Sequence, residues 1–344
     1  MNRIVYISRC YRNLTSAGNK AKTDNERTLD AMGAVNLGRP MSVSANKAVN
    51  FFANLAGVVR FALKVKAGDQ VVLQYPVKKY FSFLCRTAHR RGATVTALIH
   101  DLGSFRRRKL TAEKEIARLS HADTIIAANE AMRQWLIDHG MKRKVVALGV
   151  YDYRADAHNP HTEYSCQSMR RIVYAGSLSN RKNSFLLDLP VIADHFKIQL
   201  YGDKHNLHGL EPHPNIAVDG FKPAETFIGT VDADFGLVWD GDSIDSCSGV
   251  WGEYLKVNSP HKVSFYLRSG VPVVVWRGAG VASVIEHEGV GIVVDSLRDL
   301  PTAVAALTDA DLAAMKQRTV AMAEKLDSGH FFRSALHAAG VGNG

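Results

Sequence analysis

The residues able to do chemistry sit in a few loops that follow short apolar runs. After the run Arg171 to Tyr174 come Ala175, Gly176, Ser177, Leu178, Ser179, Asn180, Arg181 and Lys182. A small-residue turn with two cations just beyond it suits a diphosphate, because backbone amides can approach closely and a guanidinium can clasp two phosphate oxygens. The plain alternative is a pair of exposed cations at a helix start, although cations there oppose the helix dipole unless an anion is bound. After the run Thr94 to Ile99 come His100, Asp101, Leu102 and Gly103, and then Arg106 to Arg108. A carboxylate at the end of a central strand can take a proton from an attacking hydroxyl, which makes Asp101 the candidate base. It can equally be a helix N-cap, with His100 a packed edge residue.

The densest segment runs WDGDSIDSCSGVWGEYLKVNSPHK, from Trp239 to Lys262. It holds too many Gly, Asp, Asn and Pro residues for a buried element, yet carries two tryptophans that are costly to expose in a plain linker. A structured binding loop accounts for both. Ser259 and Pro260 make a good helix start, and a helix running on to Leu267 would aim its N-terminus at the region of Lys256, a geometry that invites a phosphate. Further on, Arg277, Gly278, Ala279 and Gly280 follow Val271 to Trp276, where close helix-on-strand packing accounts for the glycines. Near the N-terminus, Ser16, Ala17, Gly18, Asn19, Lys20 and Ala21 precede a helical run expected from about Asp24. Gly18 would let amides approach a phosphate or sugar and Lys20 would add positive charge, but this is no GxGxxG fingerprint, and a turn with a solvent-facing lysine is the simpler explanation.

Positioning such loops requires strands and covering helices in alternation, and the sequence supplies them. In the first half the expected strands are Ile4 to Ile7, Val71 to Gln74, Thr94 to Ile99, Thr124 to Ala127 and Val145 to Leu148. Expected helices are Asn46 to Leu63, Tyr80 to Arg91 and Ala131 to His139. The pattern lapses from Tyr151 to Met169 and restarts at Arg171. Later strands are expected at Lys197 to Tyr201, Ile216 to Val218, Phe235 to Val238, Val271 to Trp276 and Gly291 to Val294, with helices at Ser259 to Arg268, Gly280 to His287 and Leu300 to Leu307. The fold class is therefore α/β, with two Rossmann-like domains whose parallel sheets face a cleft that collects ligands beyond the strand carboxyl ends. The expected domains are 1–155 and 156–320. A C-terminal helix and tail, 321–344, is free to pack back on the first.

At 344 residues the chain is long enough for two such domains. No stretch approaches the ~20 apolar residues of a membrane span, and no signal segment precedes the first strand, so a cytoplasmic location is expected. Cys10, Cys85, Cys166 and Cys247 lie far apart, without zinc-site pairs or a disulfide framework, and are read as reduced, buried thiols. Lys and Arg outnumber Asp and Glu by 43 to 33, and a formal net charge of +10 favours an anionic partner without choosing nucleic acid, lipid or diphosphate. Much of the excess lies in two clusters, Arg86 with Arg90 and Arg91, and Arg106 to Lys109. No nucleic-acid-binding motif accompanies them, so nucleic acid is not expected as a partner. The stretch from Lys78 to Arg91 mixes cations with Tyr80, Phe81 and Phe83, as a membrane-surface helix does and as an ordinary amphipathic helix packing its aromatics inward does too.

The run CSGVWGEYLKVNSPHKVSFYLRSGVPVVVW, followed by GVGIVVDSLRDLP, resembles a bacterial family. That family contains β-galactofuranosyltransferases of polysaccharide assembly and the glucosyltransferase that extends N-acetylglucosamine on serine-rich adhesins. SAGNKAKTD, IHDLGSFR and YAGSLSNRK are similar to other segments of it, so the resemblance runs from about Ile4 to Leu307. It implies a GT-B fold, a UDP-sugar donor in the C-terminal half, an acceptor glycan on the N-terminal half, and chemistry without a metal or other cofactor. Arg181, Lys256 and Lys262 match the family's basic residues around the diphosphate. Glu253 and Asn258 are candidates for ribose or sugar hydroxyls, and Ser177 and Tyr254 complete the donor-side set. Gly103 departs from the pattern, which has an acidic residue at that place.

The expected reaction is inverting transfer of a hexose (galactofuranose, glucose or galactose) from UDP to an acceptor hydroxyl. Asp101 acts as base, and fixed cations replace a metal at the departing diphosphate. A lipid-linked acceptor would bring the chain to the inner face of the plasma membrane; self-association is left open. The rival reading is a non-catalytic glycosyltransferase-like subunit that stabilises a partner enzyme.

Overall fold

The computed structural model describes residues 3–14, 16–77, 80–106 and 110–342. The chain forms two compact units, Met1–Asp152 with Gly329–Gly344, and Tyr153–Ser328. The first contains β1 (Ile4–Tyr6), β2 (Cys10–Tyr11), α1 (Ala17–Ala31), β3 (Val35–Asn36), β4 (Ser42–Val43), α2 (Lys47–Lys64) and β5 (Gln70–Tyr75). It continues with α3 (Phe81–Arg90), β6 (Thr94–Ile99), α4 (Gly103–Arg106), α5 (Ala112–Leu119), β7 (Thr124–Ala127), α6 (Glu130–Asp138) and β8 (Lys144–Ala147). Six strands form one parallel sheet in the order β3-β1-β5-β6-β7-β8, while β2 and β4 make a small parallel pair. Strands β5 and β6 are nearly continuous runs of buried apolar residues, as a sheet covered on both faces requires.

The starts of α2 and α6 follow capping chemistry. Asn46 accepts from the amides of Ala48 and Val49, and the fully buried Asn129 accepts from Met132 N at 2.8 Å. Helix α1 begins at Ala17, some seven residues before the expected start, so Gly18 and Lys20 stand in its first turns and not in a loop. The sequence from 16 to 23 contains no proline, and Ala17, Lys20, Ala21 and Lys22 are good helix formers that offset Gly18.

The second unit contains β9 (Arg170–Ala175), α7 (Asn180–Asn183), a 3-10 stretch Ser184–Ile192, β10 (Phe196–Tyr201), β11 (Ile216–Asp219), α8 (Ala224–Thr230) and β12 (Phe235–Val238). Then come α9 (Gly249–Leu255), α10 (His261–Arg268), β13 (Val273–Trp276), α11 (Ala282–Glu288), β14 (Gly291–Val294), α12 (Leu300–Ala305) and α13 (Asp309–Ser328). Its sheet is parallel, in the order β11-β10-β9-β12-β13-β14. Strand order reverses between β9 and β12, so the covering helices part there and leave a crevice beyond the strand carboxyl ends.

The last helix, α14 (His330–Ala339), belongs to the first unit. The Asp152 carboxylate accepts from Phe331 N and Phe332 N at its start, where the helix dipole favours an anion, and Phe332, Ala335 and Leu336 are buried. Lys144 Nζ donates to Ala338 O, and Gly342 N donates to Gln70 Oε1. The division thus falls between Asp152 and Tyr153, and the returning segment starts at Gly329 and not at 321, because α13 runs unbroken to Ser328 with Leu312, Met315, Met322 and Leu326 buried in the second unit. Within that unit the buried Arg268 donates to Ala155 O and Ala157 O and pairs with Asp327, fastening the connecting segment to α10 and α13.

One surface expectation changes. Cys166 is exposed, whereas Cys10, Cys85 and Cys247 are buried. Helix α3 buries Phe81, Leu84 and Cys85 and leaves Phe83 outside, with Arg86, Arg90 and Arg91 exposed on its surface. Lys78 and Lys79 lie outside the described residues, as do the side chains of the cluster Arg106 to Lys109.

Candidate functional site

Side chains from five elements of the second unit meet beside the point where strand order reverses. Asp240 follows β12 and is 8% exposed. Its Oδ1 lies 3.0 Å from Lys262 Nζ on α10 and 3.3 Å from Lys182 Nζ on α7. Lys262 also donates to the Tyr174 hydroxyl of β9 at 2.7 Å and to Trp239 O at 3.3 Å. Lys182 stands over the indole of Trp251 on α9, 4.9 Å from the ring centroid. Burial alone would push the Asp240 carboxyl up, but Lys262 and Lys182 outweigh it and hold the group below the usual carboxylate range. One carboxylate thus holds two ammonium groups, and the trio carries net positive charge at the end of a parallel sheet.

Local sequence explains the placement. The stem of Lys262 passes so close to Gly176 that a Cβ there would lie 2.9 Å from Lys262 Cε and push it aside. Gly241 has φ of 122°, and a Cβ on it would meet Ser248 O at 2.5 Å; only glycine lets the chain turn there behind Asp240. Asn183, fully buried, donates to the Tyr174 hydroxyl at 2.9 Å and to Ser177 O at 2.8 Å, closing the turn. The Tyr266 hydroxyl accepts from Ala175 N at 2.6 Å, holding the end of β9 against α10. Burial first, and the Asp240 charge next, keep the Tyr174 phenol protonated far above its ordinary range, so its hydroxyl remains a donor and acceptor.

The expected donor residues divide. Lys262 is at the centre, and Ser177 forms the exposed turn beside it. Lys256 is elsewhere: its Nζ pairs with Glu253 at 2.8 Å with both side chains about half exposed, and it lies 5.9 Å from the Trp276 ring. Arg181 is exposed on α7, next to Lys182, whose side chain turns to Asp240 instead. Tyr254 is buried in α9 and Asn258 half-buried just after it, with Asn258 N donating to Tyr254 O at 3.0 Å. The tryptophan-containing segment is therefore partly helix, since Gly249–Leu255 forms α9; its two tryptophans are buried or half-buried, and Trp239 Nε1 donates to Ser243 O. Asp240 and Lys182 were legible only as members of charged loops. Nothing local marks them as partners, because 58 positions separate them in the chain.

In the first unit, Asp101 is half-buried two residues past β6. Burial first and then the charge of Asp101 hold the Tyr151 phenol well above its ordinary range. His100 stacks on Tyr151 with ring centroids 5.3 Å apart, and its Nε2 lies 2.8 Å from Gln74 Oε1, an acceptor that selects the Nε2–H tautomer. Glu115, fully buried, was not singled out in the sequence. It accepts from Gly103 N, Ser104 N, Ser104 Oγ and the Tyr75 hydroxyl at 2.6 to 2.9 Å, and so fixes the loop that carries Asp101. A Cβ at Gly103 would lie 3.5 Å from Glu115 Oε1, so an acidic side chain there would crowd a second carboxylate against a buried one. Lys20 is ion-paired with the buried Asp24 along α1, and a Cβ at Gly18 would find open space. Among the described residues, no group of three or more His, Cys, Asp or Glu is placed to hold a metal ion.

Two six-stranded parallel sheets in separate units, the second in Rossmann order, define the class: a glycosyltransferase fold of the GT-B type. The structure is similar to Anabaena HepE, solved in complex with UDP (TM-score 0.58, 13% identity, 98% of this chain and 99% of that one). It is also similar to the lipopolysaccharide outer core galactosyltransferase WaaB (TM-score 0.62, 10% identity, 98% and 99%). The family model described as glucosyltransferase 3-like, N-terminal domain, matches residues 4–150, and that described as glucosyltransferase 3-like, C-terminal domain, matches residues 172–339. The chain belongs to this glucosyltransferase 3-like family and is a glycosyltransferase. Among its relatives are the β-1,6-galactofuranosyltransferase WbbI of Escherichia coli, 29% identical over 78% of each chain, and glucosyltransferase 3 of Streptococcus gordonii, 24% identical over 78% of each.

Proposed function

We propose that the protein transfers a hexose, with galactofuranose the first choice, from its UDP-linked form to a hydroxyl of a bacterial surface glycan, inverting the anomeric carbon. The observation that carries this reading is the convergence of Lys182 and Lys262 on Asp240 beside the strand-order reversal of the second unit. Two ammonium groups held by one carboxylate are a site into which a diphosphate can enter by taking over one or both cations. Lys262 and Lys182 then stabilise the charge that develops on UDP as it departs, without recourse to a metal ion. Arg181, exposed on the same short helix, adds a guanidinium when its side chain swings toward the phosphates, and Lys256 can do so by leaving Glu253. Ser177, Glu253, Tyr254 and Asn258 serve the ribose and sugar hydroxyls.

In the first unit, Asp101 takes the proton of the acceptor hydroxyl as the new glycosidic oxygen attacks the anomeric carbon, and UDP leaves from the opposite side. His100 helps place the acceptor. The galactofuranose preference rests on the likeness to WbbI, the polysaccharide setting on the family resemblance of the sequence, and the UDP on the phosphate chemistry of the site together with the likeness to HepE. Thermal-shift measurement with UDP, UDP-glucose, UDP-galactose and UDP-galactofuranose tests the donor. A rise in melting temperature with UDP, and transfer from only one of the three sugars, is expected. No rise with any of them overturns the reading.

A further inference from the structure

Helix α2 carries apolar residues on its outward as well as its inward side. Its side toward the protein carries Asn50 and Asn54, whose amides donate to Cys10 O at 2.8 and 3.2 Å, with Gly57, Val58 and Phe61 farther along. Its outward stripe is Ala48, Phe52, Ala56, Val59 and Leu63, spaced by three or four residues over four turns, with Val49 and Phe51 beside it. Phe52 is 65% exposed and Leu63 74%. A helix on the surface of a globular unit ordinarily turns its polar side to water, so a continuous apolar stripe facing outward marks a surface that something covers. Val43 and Met41, exposed near the small β2–β4 pair, extend the patch, and a shallow groove of about 1050 Å³ runs along it.

The charge around the stripe has one sign. Residues 31–68 include Arg39, Lys47, Arg60, Lys64 and Lys66 and contain no Asp or Glu. Lys47, Arg60 and Lys64 lie exposed on α2 itself, and Arg39 lines the groove. A second copy docked through the same face would bring these cations against their own counterparts, with no carboxylate on the helix to meet them. An anionic lipid surface complements both properties at once: acyl chains take the aromatic and aliphatic stripe, and phosphate headgroups take the flanking cations. The stripe spans sixteen residues, a length of about 22 Å, as suits a helix lying flat in the headgroup region.

We infer that α2 is a membrane-docking helix that seats the first unit on an anionic bilayer through Phe52, Val59 and Leu63, with Lys47, Arg60 and Lys64 at the headgroups. The surface is distinct from the nucleotide site of the second unit and does not rest on the UDP reading. It also differs from the α3 stretch, whose Phe81 and Leu84 are buried.

The test uses the full chain in co-sedimentation with phosphatidylcholine vesicles that contain or lack phosphatidylglycerol. Binding is expected only where phosphatidylglycerol is present, and it should weaken as salt rises. Phe52→Gln with Leu63→Gln should reduce the partition coefficient by about tenfold or more, since both apolar side chains lose their place among the acyl chains. Lys47→Gln, Arg60→Gln and Lys64→Gln together should abolish the salt dependence while leaving the melting temperature unchanged, as all three side chains are exposed. UDP affinity should be the same in every variant, so a failure here is separate from a failure of the donor site. The inference is overturned by absence of vesicle binding, by binding that both sets of substitutions leave intact, or by light scattering that shows a lipid-free dimer dissociated by Phe52→Gln with Leu63→Gln.

Discussion

Removing the ammonium group at Lys262, by Lys262→Met, should weaken UDP binding by about 10- to 150-fold. Met keeps most of the volume of the lysine stem, which passes Gly176 closely, so the change isolates charge and hydrogen bonding. At the 3.0 Å that separates Lys262 Nζ from Asp240, an effective dielectric of about 20 gives roughly 5 kcal/mol of gross attraction between unit charges. The same lysine must loosen that contact to hold a phosphate at a similar distance, so the gross terms largely cancel. What remains is the net worth of a charge-assisted hydrogen bond, about 1.5 to 3 kcal/mol, which is the stated range in Kd. Isothermal titration calorimetry with UDP reads it directly. The donor-free protein should lose about 1 to 3 kcal/mol of stability as well, because Asp240 is buried and keeps only Lys182 as its counter-charge. Adding Asp240→Asn to Lys262→Met should restore part of that stability without restoring affinity. A Lys262→Met protein that melts cooperatively and binds UDP as the parent does would refute the assignment of this cluster to the diphosphate.

Three further outcomes follow from particular residues. Asp101→Asn should leave the UDP Kd unchanged and lower turnover by about 10²- to 10⁴-fold, the range of a lost general base; steady-state kinetics with a competent acceptor checks it, and unchanged turnover removes Asp101 from the chemistry. Gly176→Ala should displace the Lys262 stem without altering its charge, weakening UDP binding by about tenfold while the unfolding midpoint moves little, since the obstacle is a flexible side chain. Burial pushes the Glu26 carboxyl up from 4.5 to about 7 against the donors Ser8 and Tyr11, so the folded protein keeps a proton that the unfolded chain releases between those values. That contribution, about 3 kcal/mol, is complete below pH 4.5 and lost as pH rises through 7. Urea midpoints across this window should fall less steeply in Glu26→Gln, and parallel slopes would show that another group carries the dependence.

Strands β6, β7, β12 and β14 coincide with the runs expected from the sequence, because a strand buried on both faces must be a short, unbroken apolar run, and such runs are visible one residue at a time. The two-sheet architecture was legible for the same reason. The start of α1 and all of α9 were not: the first turns of α1 are small and polar residues that fit helix and loop alike, α9 carries two glycines, and the packing around them decides. The candidate site shows the division most clearly. Sequence alone determined that cations follow β9 and begin α10, and that a carboxylate follows β12, since each is fixed by its place after a strand or at a helix start. Only the tertiary structure decided that Lys182, and not Arg181, joins Lys262 on Asp240, and that Lys256 is held by Glu253. Neighbouring residues on a short helix point in different directions, and which one meets a partner dozens of positions away is set by how the strands are ordered in the sheet.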